Sequence, residues 1–323
     1  MPAVSIIVPN YNHAGFLDKR MSSIFNQTFR DYEIILLDDC STDGSKQLLD
    51  EYSRDSRVTR YEVNQSNSGS PFSQWGKGIK MATGKYIWIA ESDDFADPDF
   101  LMETVKIMEG EPEMAVCYCA SQCVDESGEP LNLDYNLWET DKKTGRIGTV
   151  AVHDGNEFIK KNLYWSCYIY NASAALIRNE ALKEGILEES KKMRNAGDWL
   201  FWTKLVKDYK VGEYYKQLNF MRRHSASTTI VGQRQGSIEF ENIKVMAYIE
   251  RNHRIGFYRK LIRHGTYIEN IRHSSMPQEL KDKILETFYK ETGATIRAYR
   301  AERLHHALGK LLPGLISRGT DRL

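Results

Sequence analysis

Hydrophobic positions follow two different rhythms along this chain. In the first hundred residues they come in short, nearly unbroken runs. Val4 to Val8 is one such run, closed by Pro9-Asn10, and Glu33 to Leu37 is another, closed by Asp38-Asp39. Runs of this length without alternation predict strands buried on both faces. Between them Phe16, Leu17, Met21, Ile24 and Phe25 recur at spacings of one, three and four, which predicts an amphipathic helix. Ser45 to Tyr52 reads as a short helix, Val58 to Val63 as a weaker strand, a stretch around Gln74 to Ala82 as a helix, and Tyr86 to Ala90 as a strand. Alternating strand and helix imply a mostly parallel sheet flanked by helices, with ligands at the carboxyl ends of the strands.

Further along, a helix is expected over Asp99 to Met108, with Asp97 as its N-cap and Pro98 at its first position. Met114 to Cys119 and Ala172 to Ile177 read as strands, and Trp199 to Val206 as an apolar helix entered through Gly197-Asp198. Asp125 to Gly155 is polar and Gly-containing, an acceptor-side loop by expectation. From about Gln233 onward only amphipathic helical spacing remains.

The chain has 323 residues and balances 44 Lys and Arg against 44 Asp and Glu, so a nucleic-acid role has no general electrostatic support. The balance is uneven in detail. Arg251 to Leu323 holds 15 Lys and Arg, 7 Asp and Glu, and five histidines. That basic quarter suits contact with an anionic membrane face, a solvated appendage or a dimer contact. No signal-peptide pattern opens the sequence, and it has no run of 18 apolar residues, so a soluble cytoplasmic protein is expected. Five cysteines without zinc-finger spacing read as reduced packing thiols.

Candidate chemistry concentrates where Tyr86 to Ala90 ends, in Glu91-Ser92-Asp93-Asp94. Oxygen ligands packed this closely at a strand end suit Mg2+ or Mn2+ holding a diphosphate. The alternative is that they turn the chain and cap a helix, a task Asp97 and Pro98 already fill by expectation.

Three blocks in order extend the picture: Val4 to Asn12, Asp38-Asp39-Cys40-Ser41-Thr42-Asp43-Gly44, and Gly84-Lys85-Tyr86-Ile87 followed by the acidic tetrad. Together they resemble the inverting glycosyltransferases of family 2, which have the GT-A fold, over roughly residues 1 to 230. The resemblance implies that residues 1–110 bind a nucleotide-sugar, that 111–232 bind the acceptor, and that 233–323 form a helical basic extension. It implies that Pro9, Tyr11 and Asn12 border the nucleotide and that Asp39 accepts a hydrogen bond from the base, favouring uracil. Asp93 becomes the expected metal ligand, with Asp94 close by and Ser92 at the donor. The family's usual first aspartate is Glu91 here, which contacts either ribose or a metal-bound water. Trp75-Gly76 stands where many members carry Arg-Asn, and Lys77 beside it either reaches the diphosphate or is a solvated helix lysine.

Asn195-Ala196-Gly197-Asp198-Trp199 resembles the family's acidic motif and implies Asp198 as the base that deprotonates the acceptor hydroxyl. Asp198 also reads as the N-cap of the helix starting at Trp199, and the two roles are compatible. Arg222-Arg223-His224-Ser225-Ala226-Ser227 resembles a late block that approaches the diphosphate. There His224 would complete the metal site and Arg222 would pair with phosphate. The expected activity is metal-dependent, inverting transfer of one sugar from a UDP-sugar to a glycan or lipid-linked oligosaccharide hydroxyl. A nucleotidyltransferase acting on sugar phosphates, or a non-catalytic nucleotide-binding protein, is the alternative.

Overall fold

Seven consecutive buried residues, Val4–Asn10, form strand β1, and Tyr32–Asp38 forms β2 in the same way. They run parallel, with Val4 opposite Tyr32 and Asn10 opposite Asp38. β4 (Tyr86–Ile89) flanks β1 on its other side, again in parallel. A strand enclosed on both faces has no polar side, hence the missing alternation. β3 (Val58–Val63) lies outermost beside β2, and its exposed Thr59, Arg60 and Glu62 guard the edge. Helix α1 (Ala14–Phe25) turns Leu17, Met21 and Ile24 inward, while α2 (Ser45–Tyr52) buries Leu49. Helix α3 (Pro71–Met81) comes so near the sheet that a Cβ on Gly78 would lie 2.4 Å from the Ile7 side chain. This is a computed structural model, and it describes residues 1–132, 146–224, 232 and 236–311.

Beyond β4 the chain adds β5 (Phe95–Ala96), α4 (Phe100–Gly110), β6 (Met114–Val124), β7 (Val150–Asp154), β8 (Ala175–Arg178), α5 (Gly197–Val206) and β9 (Lys210–Arg222). The strand order is β3-β2-β1-β4-β8-β6-β9-β5, with β7 paired to β9. Four neighbouring pairs are parallel, but β4/β8, β6/β8, β5/β9 and β7/β9 are antiparallel. The sheet is therefore parallel only in its first half and mixed beyond β4, where a mostly parallel sheet was expected. Strand β9 has no counterpart among the expected elements, and β7 falls inside the expected loop Asp125 to Gly155, of which residues 133–145 lie outside the described residues.

Two local expectations change. Helix α4 starts at Phe100 after Asp99, and Asp97 instead accepts the Asp99 N–H in a tight turn, with Pro98 in that turn. Ala172–Ala174 is a 3-10 turn, and only Ala175–Arg178 is strand. Helix α5 is buried nearly all round, through Trp199, Leu200, Phe201, Trp202, Leu205 and Val206, as its lack of a polar stripe requires.

The chain forms two compact units. One holds Met1–Gly155 and Ile169–Ser225; the other holds Asn156–Tyr168 and Ala226–Leu323. Among its described residues the second unit holds helices α6 (Ser237–Asn252), α7 (Phe257–His273), α8 (Gln278–Thr292) and α9 (Ile296–Leu311), together with the short helical segment Ile159–Leu163. Within it a buried Glu250 accepts hydrogen bonds from Tyr164 and pairs with His264 and Lys260. Helices α7 and α9 cross closely at Gly265, where a Cβ would meet the Ala298 carbonyl at 2.5 Å. Among the described residues no helix is long and apolar enough to cross a membrane. All five cysteines are free thiols, and burial pushes the Cys119 thiol up to about 12.

Candidate active site

Four strand ends meet at one rim of the sheet in the first unit, and side chains just beyond them tie the ends together. At the end of β1, Asn10 donates to Asp38 at 2.9 Å and to Ser41 at 3.1 Å. Asn12 adopts a left-handed conformation, φ 55°, and its Oδ1 accepts the Thr42 N–H at 2.8 Å. An Asn tolerates that backbone at low cost. Cys40, φ 66°, bends the β2 end in the same sense. Asp38 thus serves the loop, with its other oxygen on the Ser41 N–H. Asn12 likewise braces this loop. Pro9 is buried within β1 and Tyr11 is half-exposed beside it.

Asp39 is 4% exposed, and both of its oxygens are engaged. Oδ1 accepts from Asn64 at 2.6 Å and from Gln74 at 2.7 Å, while the Ser68 hydroxyl reaches Oδ2 at 2.7 Å. The expected open acceptor is thus covered by the segment 64–70. Lys77 departs from its diphosphate expectation: its ammonium binds Glu62 at 2.7 Å and Asn64 at 2.8 Å, on the Asp39 side of α3.

At the end of β4 the three carboxylates of the tetrad have separate fates. Asp94 is buried and accepts from Asn171 and Ser173, each at 2.8 Å, and from the Arg222 N–H at 2.9 Å. It is an internal anchor, contrary to its expected place among the metal ligands, because its lone pairs point to protein donors. Burial and then the Asp93 charge push its carboxyl above the ordinary range. Glu91 accepts the Trp75 indole N–H at 2.7 Å, and burial followed by Asp93 pushes it up to about 8. The two departures from the family pattern, Trp75 and Glu91, therefore touch each other. Asp93 keeps the charge: burial opposes it, but His224 and His13 outweigh burial and hold the carboxyl below its usual value.

His224 follows β9, and its Nε2 lies 3.1 Å from Asp93 Oδ2. His13, which the motif reading left out, precedes α1 and places Nδ1 2.8 Å from Ser92 Oγ. Burial lowers its pKa, and the Asp93 charge opposes that shift. Ligand atoms of His13, Asp93 and His224 all lie within 4.8 Å of one another. Two imidazoles and a carboxylate form a donor set that fits a divalent ion.

Arg222 does not face this group as a phosphate partner. Its Nε donates to the Asp93 carbonyl at 2.8 Å and Nη1 to the Asp125 and Glu126 carbonyls, and its guanidinium lies 4.7 Å from the Phe16 ring. At 5% exposure it is a brace that fixes Asp93. Arg20 was also missed. It is fully buried, donates to the Glu91 carbonyl at 2.8 Å and supplies positive charge behind the tetrad, with burial lowering its pKa to about 10. Its signal was an arginine on the apolar stripe of α1, between Leu17 and Ile24.

Asp198 sits in the first turn of α5 and not at its cap, which is Ala196; its Oδ1 accepts the Trp199 N–H at 2.7 Å. Phe201 and Trp202, one turn along, meet the Trp75 ring at 5.7 and 6.4 Å. Residues at such spacings share a helix face, so Asp198 lies on the stripe of α5 that faces α3. Gly197 is required there, since a Cβ would come 2.4 Å from the Phe72 ring. Through Gln74 to Asp39, and through Trp75 to Glu91, α3 joins the Asp39 pocket, the tetrad and α5.

Comparison with known proteins bears on the family and the fold. The sequence profile of "Glycosyl transferase family 2" matches residues 5–186. A putative teichuronic acid biosynthesis glycosyltransferase of Bacillus subtilis, TuaG, is 29% identical over 41% of this chain and 51% of its own length. A GalNAc(5)-diNAcBac-PP-undecaprenol beta-1,3-glucosyltransferase of Campylobacter jejuni is 35% identical over 29% of this chain and 30% of its own. The matched stretch thus spans about half or less of these relatives. Among solved structures, S. aureus TarS 1-349 in complex with UDP aligns over 95% of this chain and 87% of that one, with a TM-score of 0.65 at 16% identity, a likeness of fold.

Proposed function

Because this chain belongs to glycosyl transferase family 2, we propose that it transfers one sugar, with inversion, from a UDP-sugar to a hydroxyl of a glycan or lipid-linked oligosaccharide in surface-polysaccharide synthesis. The observation that carries this reading is the junction of the β1, β2, β4 and β9 ends, with Asp39 at one side and the Asp93–His224 pair at the other. Strand ends of this kind are where α/β sheets bind nucleotides. The names of the relatives support a glycan product, and the UDP held by the fold neighbour supports the uracil base.

Asp39 would receive the base imide N–H, which requires the Ser68 hydroxyl to leave that oxygen. Tyr11, half-exposed at the rim, would cover the base. Asp93 and His224 would hold a divalent ion, and that ion would offset charge on the leaving diphosphate. Asp94, Arg222 and Arg20 would keep the two ligands in place. Asp198 would take the acceptor proton as the hydroxyl attacks from the face opposite the diphosphate. The basic second unit, with Phe257 81% and Leu304 61% exposed, would meet an anionic membrane carrying the acceptor. A screen of UDP-sugars with purified lipid-linked acceptors, read by UDP release and by the anomeric configuration of the product, tests this. Retention of configuration, or no release from any UDP-sugar that binds, would defeat it.

A further inference from the structure

Resting on the reading that a divalent ion binds at Asp93, we propose that His13 is a third protein ligand, so that the site selects a first-row transition ion such as Mn2+ over Mg2+. The separation of His224 Nε2 from Asp93 Oδ2, 3.1 Å, matches the edge of an octahedron: bonds of about 2.1 Å at right angles put adjacent ligand atoms about 3.0 Å apart. His13 offers the next atom within 4.8 Å of both.

The surroundings orient the ring as a ligand is oriented. His13 precedes α1 but makes no side-chain cap to it, so the imidazole has no helix-end duty. The contact of Nδ1 with Ser92 Oγ at 2.8 Å suits the tautomer in which Nδ1–H donates and Nε2 keeps its lone pair for a metal. The His13 and His224 rings meet at right angles, 5.5 Å between centroids, and Phe16 packs on both at 5.8 and 5.2 Å. Arg222 stacks on that same Phe16 and fixes the Asp93 carbonyl. One cluster thus aligns all three ligands.

Ligand chemistry sets the preference. Mg2+ favours oxygen and retains its waters, whereas imidazole nitrogens suit Mn2+, Fe2+, Co2+ and Zn2+. Two imidazoles with one carboxylate are the composition of a transition-metal site, and the open positions would face the diphosphate.

The test uses the full chain stripped with EDTA and titrated with MnCl2, following the free-ion electron paramagnetic resonance signal. His13→Ala is expected to bind Mn2+ at least about tenfold more weakly than wild type, the scale on which even supporting residues act. Pulsed spectroscopy of the wild-type Mn2+ complex is expected to show couplings to two imidazole nitrogens, a readout that does not depend on any variant folding. A single nitrogen coupling, or Mn2+ binding by His13→Ala equal to wild type, would overturn the role of His13 while leaving the ion at Asp93 in place. Mg2+ competing as strongly as Mn2+ would overturn the selectivity. No Mn2+ binding by wild type, with or without UDP, would overturn both this inference and the metal reading beneath it.

Discussion

Replacing Asp94 with alanine tests whether it is an anchoring carboxylate, distinct from the adjacent Asp93 that we propose to hold metal. Three donors converge on Asp94: Asn171 Nδ2, Ser173 Oγ and the Arg222 backbone N–H, all at 2.8 to 2.9 Å, with Ser173 and Arg222 buried with it and Asn171 partly so. Each donor left without an acceptor costs about 1–3 kcal/mol, and because the three share one site a total of about 3–5 kcal/mol is expected. For a unit of this size each kcal/mol moves the melting temperature by about 2–4 °C, so Asp94→Ala is expected to melt roughly 6–20 °C below wild type. Asp93→Ala removes a carboxylate whose side chain is 20% exposed and whose partner is the single ring of His224. It is expected to melt within about 3 °C of wild type without metal, yet lose Mn2+-dependent UDP binding. Differential scanning calorimetry of both variants, each with and without UDP and Mn2+, gives the comparison. An Asp94→Ala protein that melts within about 2 °C of wild type, or an Asp93→Ala protein that melts far lower, would refute the division of roles.

Asp198→Asn is expected to lower transfer by at least about 100-fold, the ordinary contribution of a general base, while UDP affinity stays within a few-fold; a retained transfer rate removes Asp198 from the chemistry. Ser68→Ala frees one Asp39 oxygen from a competing donor worth about 1 kcal/mol, so UDP is expected to bind about fivefold more tightly by calorimetry. Weaker binding would mean that Ser68 aids the base. Trp75→Phe withdraws the indole N–H from Glu91 and is expected to cost about 1–3 kcal/mol in urea unfolding, and an unchanged midpoint would show that the pair contributes little.

Much of the parallel half of the fold was legible because its elements carry local signals. Helix α2 and strand β3 fall on the expected residues, and β1 and β2 extend theirs by one or two, since unbroken apolar runs closed by Asn, Asp and Pro leave little choice. Strand β9 gave no such run. Gly212, Lys216, Gln217 and Asn219 interrupt it, and its register against β6 shifts around Cys119 and Ala120, so the period of two is lost. The β7 segment Val150–Asp154 is half-buried at most and ends in His153-Asp154, which reads as loop. At the site, the tetrad and Asp39 were visible as residue types at strand ends. The anchoring role of Asp94 was not, because Asn171, Ser173 and Arg222 reach it from 77 to 128 positions away. Arg222 read as a phosphate partner for the same reason: a carbonyl cradle made by Asp93, Asp125 and Glu126 has no sequence signature. His13, one residue past the Pro9–Asn12 block, was not legible, because its partner Ser92 lies 79 positions away.

The most direct measurement is calorimetric titration of UDP into wild type, Asp39→Ala and Asp93→Ala, each with Mn2+ and with EDTA. Base recognition at Asp39 and an ion at Asp93 predict that EDTA weakens UDP binding at least about tenfold in wild type, equivalent to 1.4 kcal/mol or more. Asp93→Ala should bind weakly and respond little to Mn2+, and Asp39→Ala should bind weakly while still responding to it. Equal UDP affinity in all three proteins, with and without Mn2+, would contradict the account.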